Sequence, residues 1–133
     1  MADQIGAPTS VKTIVDILAS ALSRQRDLTR FFASAGGLIH LSASGATSWH
    51  GFATAIVDGL HARKSPLAVE RIVPITTGEY PTKARRPLNS RLDLARLSQV
   101  FGVVPPQWSH GLEGVLDRIA MARHNRETEG GTR

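Results

Sequence analysis

The sequence predicts an α/β domain with three to four main helices and a few short strands. Three observations lead there. Apolar residues recur at helical offsets in well-separated stretches. Short apolar runs bounded by glycine, serine or proline lie between them. The chain has 133 residues, 41% of them hydrophobic, which suits one buried core. A chain of this length buries about two thirds of its unfolded surface.

Thr9 or Ser10 can cap the first helix, behind Pro8. Val11, Ile14, Val15, Leu18 and Leu22 then share one helical face, the expected core face. Arg24 to Asp27 is a polar break, Leu28 to Phe32 adds a helical turn or two, and Gly36-Gly37 stops it. Leu38-Ile39-His40-Leu41 reads as a strand and Ser42 to Gly45 as a turn. Thr47 or Ser48 caps the next helix, with Trp49, Phe52, Ala53, Ile56, Val57 and Leu60 on its apolar face. Residues 61–66 form a basic loop, and Arg71 to Ile75 reads as a strand that Pro74, lacking a donor, restricts to an edge or an end.

Thr76 to Asn89 is a long ordered loop, and Ser90-Arg91-Leu92 is briefly extended. Asp93 caps a short helix carrying Leu94, Leu97, Val100 and Phe101, which Gly102 ends. Pro105-Pro106 opens the last helix, whose face is Trp108, Leu112, Val115, Leu116 and Ile119. The domain is expected over residues 1–122, with 123–133 a polar, disordered tail.

Composition narrows the function classes. No cysteine is present, so neither a disulfide scaffold nor a thiolate metal site is available. Met1-Ala2-Asp3-Gln4 carries an acid where a secretory leader needs basic residues, and no apolar run approaches the ~20 residues that span a bilayer. A cytoplasmic location without membrane contact is the expectation. The net charge is +5, with thirteen arginines against three lysines. Arginine suits phosphate, but only Arg85-Arg86 is a tight cluster and no aromatic residues interleave with it. Nucleic-acid binding therefore ranks behind an ordinary solvated surface.

Neither a dinucleotide glycine fingerprint nor a phosphate-binding P-loop occurs. His40, His50, His61, His110 and His124 form no H-x-x-x-H pair, and no metal site is expected. Tyr80 and Lys83 are three apart with Pro81 between them, which does not fit the four-residue Tyr–Lys spacing of a reductase helix; Tyr80 reads as a loop residue. Two stretches retain chemical interest. Asp3 to Thr9 feeds a helix N-terminus through Gly6, which serves either as a cap or as an anion or polyol site. Glu79 to Leu92 joins prolines to guanidinium and amide groups, which either hold a pyrophosphate or sugar or cap carbonyls.

Together the motifs resemble one family. They are Asp3-Gln4-x-Gly6-Ala7-Pro8-Thr9, His40-Leu41-Ser42, Gly45-x-Thr47-Ser48-Trp49-x-Gly51-Phe52-Ala53, Glu79-Tyr80-Pro81-Thr82, Arg86-Pro87-x-Asn89-Ser90-Arg91-Leu92, Phe101-Gly102 and Pro106-x-Trp108. Over about residues 3 to 118 they are similar to the C-terminal half of the dTDP-4-dehydrorhamnose reductase family, extended short-chain reductases of dTDP-L-rhamnose synthesis. The resemblance implies the substrate-side portion of an extended Rossmann-type reductase. Lys83 and Leu88 depart from the proline and alanine common in that family.

In the family the N-terminal Rossmann half binds NADPH and carries the catalytic Tyr-x-x-x-Lys. The resemblance therefore implies no catalytic residue and no cofactor bound by this chain alone, with NADPH belonging to the complete enzyme. It implies substrate-binding positions at Asp3, Gln4, Gly6, Pro8 and Thr9 near the cleft, and at Arg86, Asn89 and Ser90 toward a dTDP-sugar. Arg86 is assigned to phosphate and Asn89 to orienting polar contacts or bracing the loop. Trp49, Phe52 and Trp108 match motif positions too, but aromatic residues on an apolar helix face read first as core. The implied partners are the dTDP-sugar and a separately supplied Rossmann half, with self-association where that half is lacking. Two other readings stand beside this one: a non-catalytic interaction module complementing such a half, and a basic nucleic-acid binder.

Overall fold

The computed structural model describes residues 1–130. Among these, the order is β1 (Ile5–Gly6), α1 (Val11–Ser23), α2 (Leu28–Ala35), β2 (Thr47–Ser48), α3 (Trp49–Ala62), α4 (Ala95–Phe101) and α5 (Trp108–Gly130). The predicted α/β class forms, with three long helices, two short ones and strands of only two residues each.

Side-chain caps start most of the helices. The Ser10 hydroxyl accepts from the Thr13 amide at 3.1 Å, Asp27 from Arg30 at 2.9 Å and Ser48 from Gly51 at 3.0 Å. The polar break before α2 thus doubles as its N-terminal cap. Asp93 accepts from the Ala95 amide at 2.8 Å, and Gly102 ends α4 at a left-handed φ of 64°.

Two packed regions hold these elements. In the first, Ile17 and Ala21 of α1 meet Leu97 of α4 and Val103, with Ile39, Leu41 and Phe101 packed against them. The buried face of α1 is therefore Thr13, Ile17 and Ala21. The stripe expected to face the core points outward instead, with Val11 77%, Val15 56% and Leu18 46% exposed. This helix carries apolar residues on two sides, and the side of Ile17 and Ala21 packs inside the chain.

In the second region α3 crosses α5 with Leu116 at the contact, only 1% exposed. A β-carbon on Gly59 would collide with the Leu116 side chain, so the close crossing requires glycine there. Arg63 locks the same crossing. It donates to Asp117 at 2.6 and 2.9 Å, to the Glu113 carboxylate at 2.5 Å and to the Gly59 carbonyl at 2.9 Å. Its pKa is raised by these two carboxylates.

Several expected elements differ. Residues 38–41 and 71–75 form no strands, because a strand needs a paired edge and theirs have none among the described residues beyond a single bond from the Ala2 amide to the Ile75 carbonyl, at 2.7 Å. Pro105-Pro106 does not open the last helix, which starts at Trp108. The Pro106 carbonyl accepts from the Ser44 amide at 2.8 Å, so this segment is spent on an extended pairing. Helix α5 continues past residue 122 to Gly130, where a polar tail was expected; residues 131–133 of that tail lie outside the described residues. No helix among the described residues is long and apolar enough to cross a membrane.

Candidate functional site

The short strand β1 organises the site. On one side it pairs antiparallel with β2, Ile5 opposite Ser48 and Gly6 opposite Thr47. On the other it meets the 88–90 segment in parallel. The Ile5 amide donates to the Leu88 carbonyl and the Ser90 amide to the Ile5 carbonyl, both at 2.8 Å. Three remote segments thus form one small platform. Gly6 lies close under Ser90 there: a β-carbon would sit 2.9 Å from the Ser90 Oγ, which would have to turn aside.

Beyond the platform the chain turns through Pro8 and Thr9 into α1. Thr9 Oγ1 donates to the Ala7 carbonyl at 2.9 Å and accepts from the Ala43 amide at 3.0 Å. Ser44 in turn accepts from the Trp108 amide at 3.0 Å, and Trp108 meets Phe52 edge to face at 5.9 Å. These links fix the start of α5 against α3 behind the platform.

A cleft of about 230 Å³ opens over the platform, lined by Gln4, Gly6, Pro8, Trp49, Phe52 and Ser90, among others. Gln4 is 5% exposed, and its amide nitrogen donates to Thr77 Oγ1 at 3.1 Å. Thr77 also donates its amide and hydroxyl to the Asp3 carboxylate at 2.9–3.0 Å. The Thr77 backbone bond and then its hydroxyl hold the Asp3 pKa below the ordinary range, against an opposing desolvation. Glu79 is lowered likewise, by the Thr76 hydroxyl and then the Thr76 amide.

Of the residues singled out in sequence, Gln4, Gly6, Pro8 and Ser90 come together in this cleft. Asp3 lies behind it as an anchor for the 76–79 loop, and Thr9 is a stitch between segments. Asn89 faces the neighbouring polar cavity of about 530 Å³ together with Arg91. Its Oδ1 accepts from the Arg91 amide and Nε, both at 3.1 Å. Arg86 is exposed and lines neither space. Two residues stand outside the site positions that the motifs implied. Trp49 is 58% exposed and forms a cleft wall, whereas its helix-face spacing suggested core. Its position just after the capping Ser48, in the first helical turn, was the available signal. Thr77 carried none.

The sequence matches the RmlD substrate binding domain over residues 1–121. The chain belongs to that family. It is 45% identical over 114 residues to the dTDP-4-dehydrorhamnose reductase of Burkholderia thailandensis, covering 84% of this chain and 38% of that protein. A crystal structure of a dTDP-4-dehydrorhamnose reductase from Clostridium acetobutylicum superposes with a TM-score of 0.69 at 25% identity, covering 90% of this chain and 37% of that one. For the Bacillus anthracis dTDP-4-dehydrorhamnose reductase, solved in complex with NADP, the values are 0.62, 27%, 84% and 34%. The chain spans little more than a third of the length of these relatives.

The N-termini of α1, α2 and α3 are closed by their own serine and aspartate caps. None of them follows the glycine-rich turn through which a backbone approaches a pyrophosphate.

Proposed function

We propose that this chain is the nucleotide-sugar-binding part of an NADPH-dependent dTDP-4-dehydrorhamnose reductase and is inactive alone. The family match carries the reading, together with a cleft that gathers Gln4, Gly6, Pro8 and Ser90 from two distant stretches of the sequence. The cleft chemistry is compatible with a sugar nucleotide. Trp49 and Phe52 offer apolar faces, and Gln4 and Ser90 supply polar groups at the rim. In this reading NADPH and the proton donor belong to the part of the relatives that the chain does not span.

The same reading assigns the exposed stripe of α1 to a partner. Val11, Val15 and Leu18 form an apolar strip at helical spacing, which supports docking against a Rossmann half and self-association without one. The test mixes purified chain with dTDP-4-dehydrorhamnose and NADPH, then titrates it with dTDP-L-rhamnose while following tryptophan fluorescence. Binding without cofactor oxidation is expected. NADPH oxidation by the chain alone overturns the claim of inactivity, and absence of any binding overturns the assignment of the cleft.

A further inference from the structure

We propose that Thr77 is a positioning residue that sets the hydrogen-bonding polarity of the cleft by orienting the side-chain amide of Gln4. The proposal rests on the reading above that the cleft receives a nucleotide-sugar. Its logic starts from Asp3, whose ionised carboxylate is an acceptor only. Thr77 Oγ1 lies 3.0 Å from Asp3 Oδ1, so the hydroxyl hydrogen goes to Asp3. The oxygen of Thr77 then has only lone pairs to offer its other neighbour, 3.1 Å away. That neighbour must be the donor end of the Gln4 amide. The carbonyl Oε1 of Gln4 is thereby turned away from Thr77.

A glutamine side chain left to itself presents either end with similar ease, since the two ends differ little in shape. Here a charge one residue earlier in the chain removes the choice. Gln4 is 5% exposed and lines the cleft, so its freed carbonyl is an acceptor held in place before any ligand arrives. Such an acceptor selects a hydroxyl donor, the group a pyranose supplies in quantity and a nucleoside diphosphate mostly lacks. Thr77 touches no ligand in this scheme; it acts through Gln4.

The test uses the full chain, Thr77→Val and Thr77→Ser. In the free proteins, NMR follows the exchange of the Gln4 side-chain amide protons with water. Protection is expected in the parent and in Thr77→Ser, and is lost in Thr77→Val. Calorimetry then compares dTDP-L-rhamnose with dTDP. Thr77→Val is expected to weaken dTDP-L-rhamnose about fivefold, the scale of one neutral hydrogen bond. It should leave dTDP unchanged, and Thr77→Ser should restore the parent affinity. Equal weakening of both ligands, or an unchanged Gln4 amide in Thr77→Val, overturns the proposal. Failure of the parent to bind either ligand sinks the reading of the cleft instead, while the amide readout still judges the positioning of Gln4. Should Thr77→Val not fold, Asp3→Ala removes the acceptor that takes the Thr77 hydroxyl hydrogen, and the Gln4 amide is expected to lose protection in the same way.

Discussion

The two packed regions of this chain are finished to different degrees. At the α3–α5 crossing, Leu116 is sealed and Arg63 bridges two carboxylates on the opposite helix. Around α1, a comparable helix buries Thr13, Ile17 and Ala21 while Val11, Val15 and Leu18 remain outside. One region is satisfied by contacts within the chain. The other leaves an apolar side of α1 uncovered. Burial of a helix face therefore cannot be inferred from apolar spacing alone, because spacing does not say whether the cover comes from the same chain.

The largest expected effect tests the sealed region. Leu116→Ala should lower the unfolding free energy by about 2–5 kcal/mol, the range for a buried leucine that leaves a cavity. Urea denaturation followed by circular dichroism measures it. A loss under about 1 kcal/mol would mean that the crossing collapses around the missing side chain, and the contrast between the regions would weaken.

The open region should answer differently. Val15→Lys places a charge at a position 56% exposed in the middle of the outer stripe. Unfolding free energy is expected to move by no more than about 0.5 kcal/mol. Self-association, read by sedimentation velocity, should fall. If Val15→Lys destabilises the fold as Leu116→Ala does, the stripe is part of the chain's own core after all.

How far this contrast was legible in the sequence depends on the range of the interaction. Ser10 and Ser48 were readable as caps because each bonds an amide three residues on. Gly102 was readable as a helix stop for a similarly local reason. Periodicity alone points the outward stripe of α1 inward, since it fixes a face and not its neighbour. The 38–41 and 71–75 runs look like strands locally, but a ladder is made by two edges and sequence shows only one. In the site, Gln4, Gly6, Pro8 and Ser90 stood out through motif resemblance. Thr77 did not, because its partners Asp3 and Gln4 lie more than seventy residues away.

The smallest effect concerns that long-range tie. Asp3 has its carboxyl lowered by the Thr77 amide and hydroxyl, so its contribution is present above the unfolded-state pKa. It is lost as pH falls through the lowered folded value, on the acid side of the ordinary carboxylate range. Glu79 follows the same sign through Thr76. In an NMR titration the Thr76 and Thr77 amide signals should hold steady from neutral pH and shift only in that acid range. A midpoint near neutrality would show that the two carboxylates are not holding this loop.

The platform under the cleft has a consequence for how the molecule is made. Ser90 reaches Ile5 across 85 positions, Thr77 reaches Asp3 across 74 and Ala43 reaches Thr9 across 34. Closing such loops costs entropy before any contact repays it, so helices with local bonds form readily while this platform waits for distant parts of the chain. The cleft is thus a late product of folding. Gln4 and Gly6 precede Ser90 by more than eighty residues, and until that later segment has docked against Ile5 they have nowhere to seat a ligand.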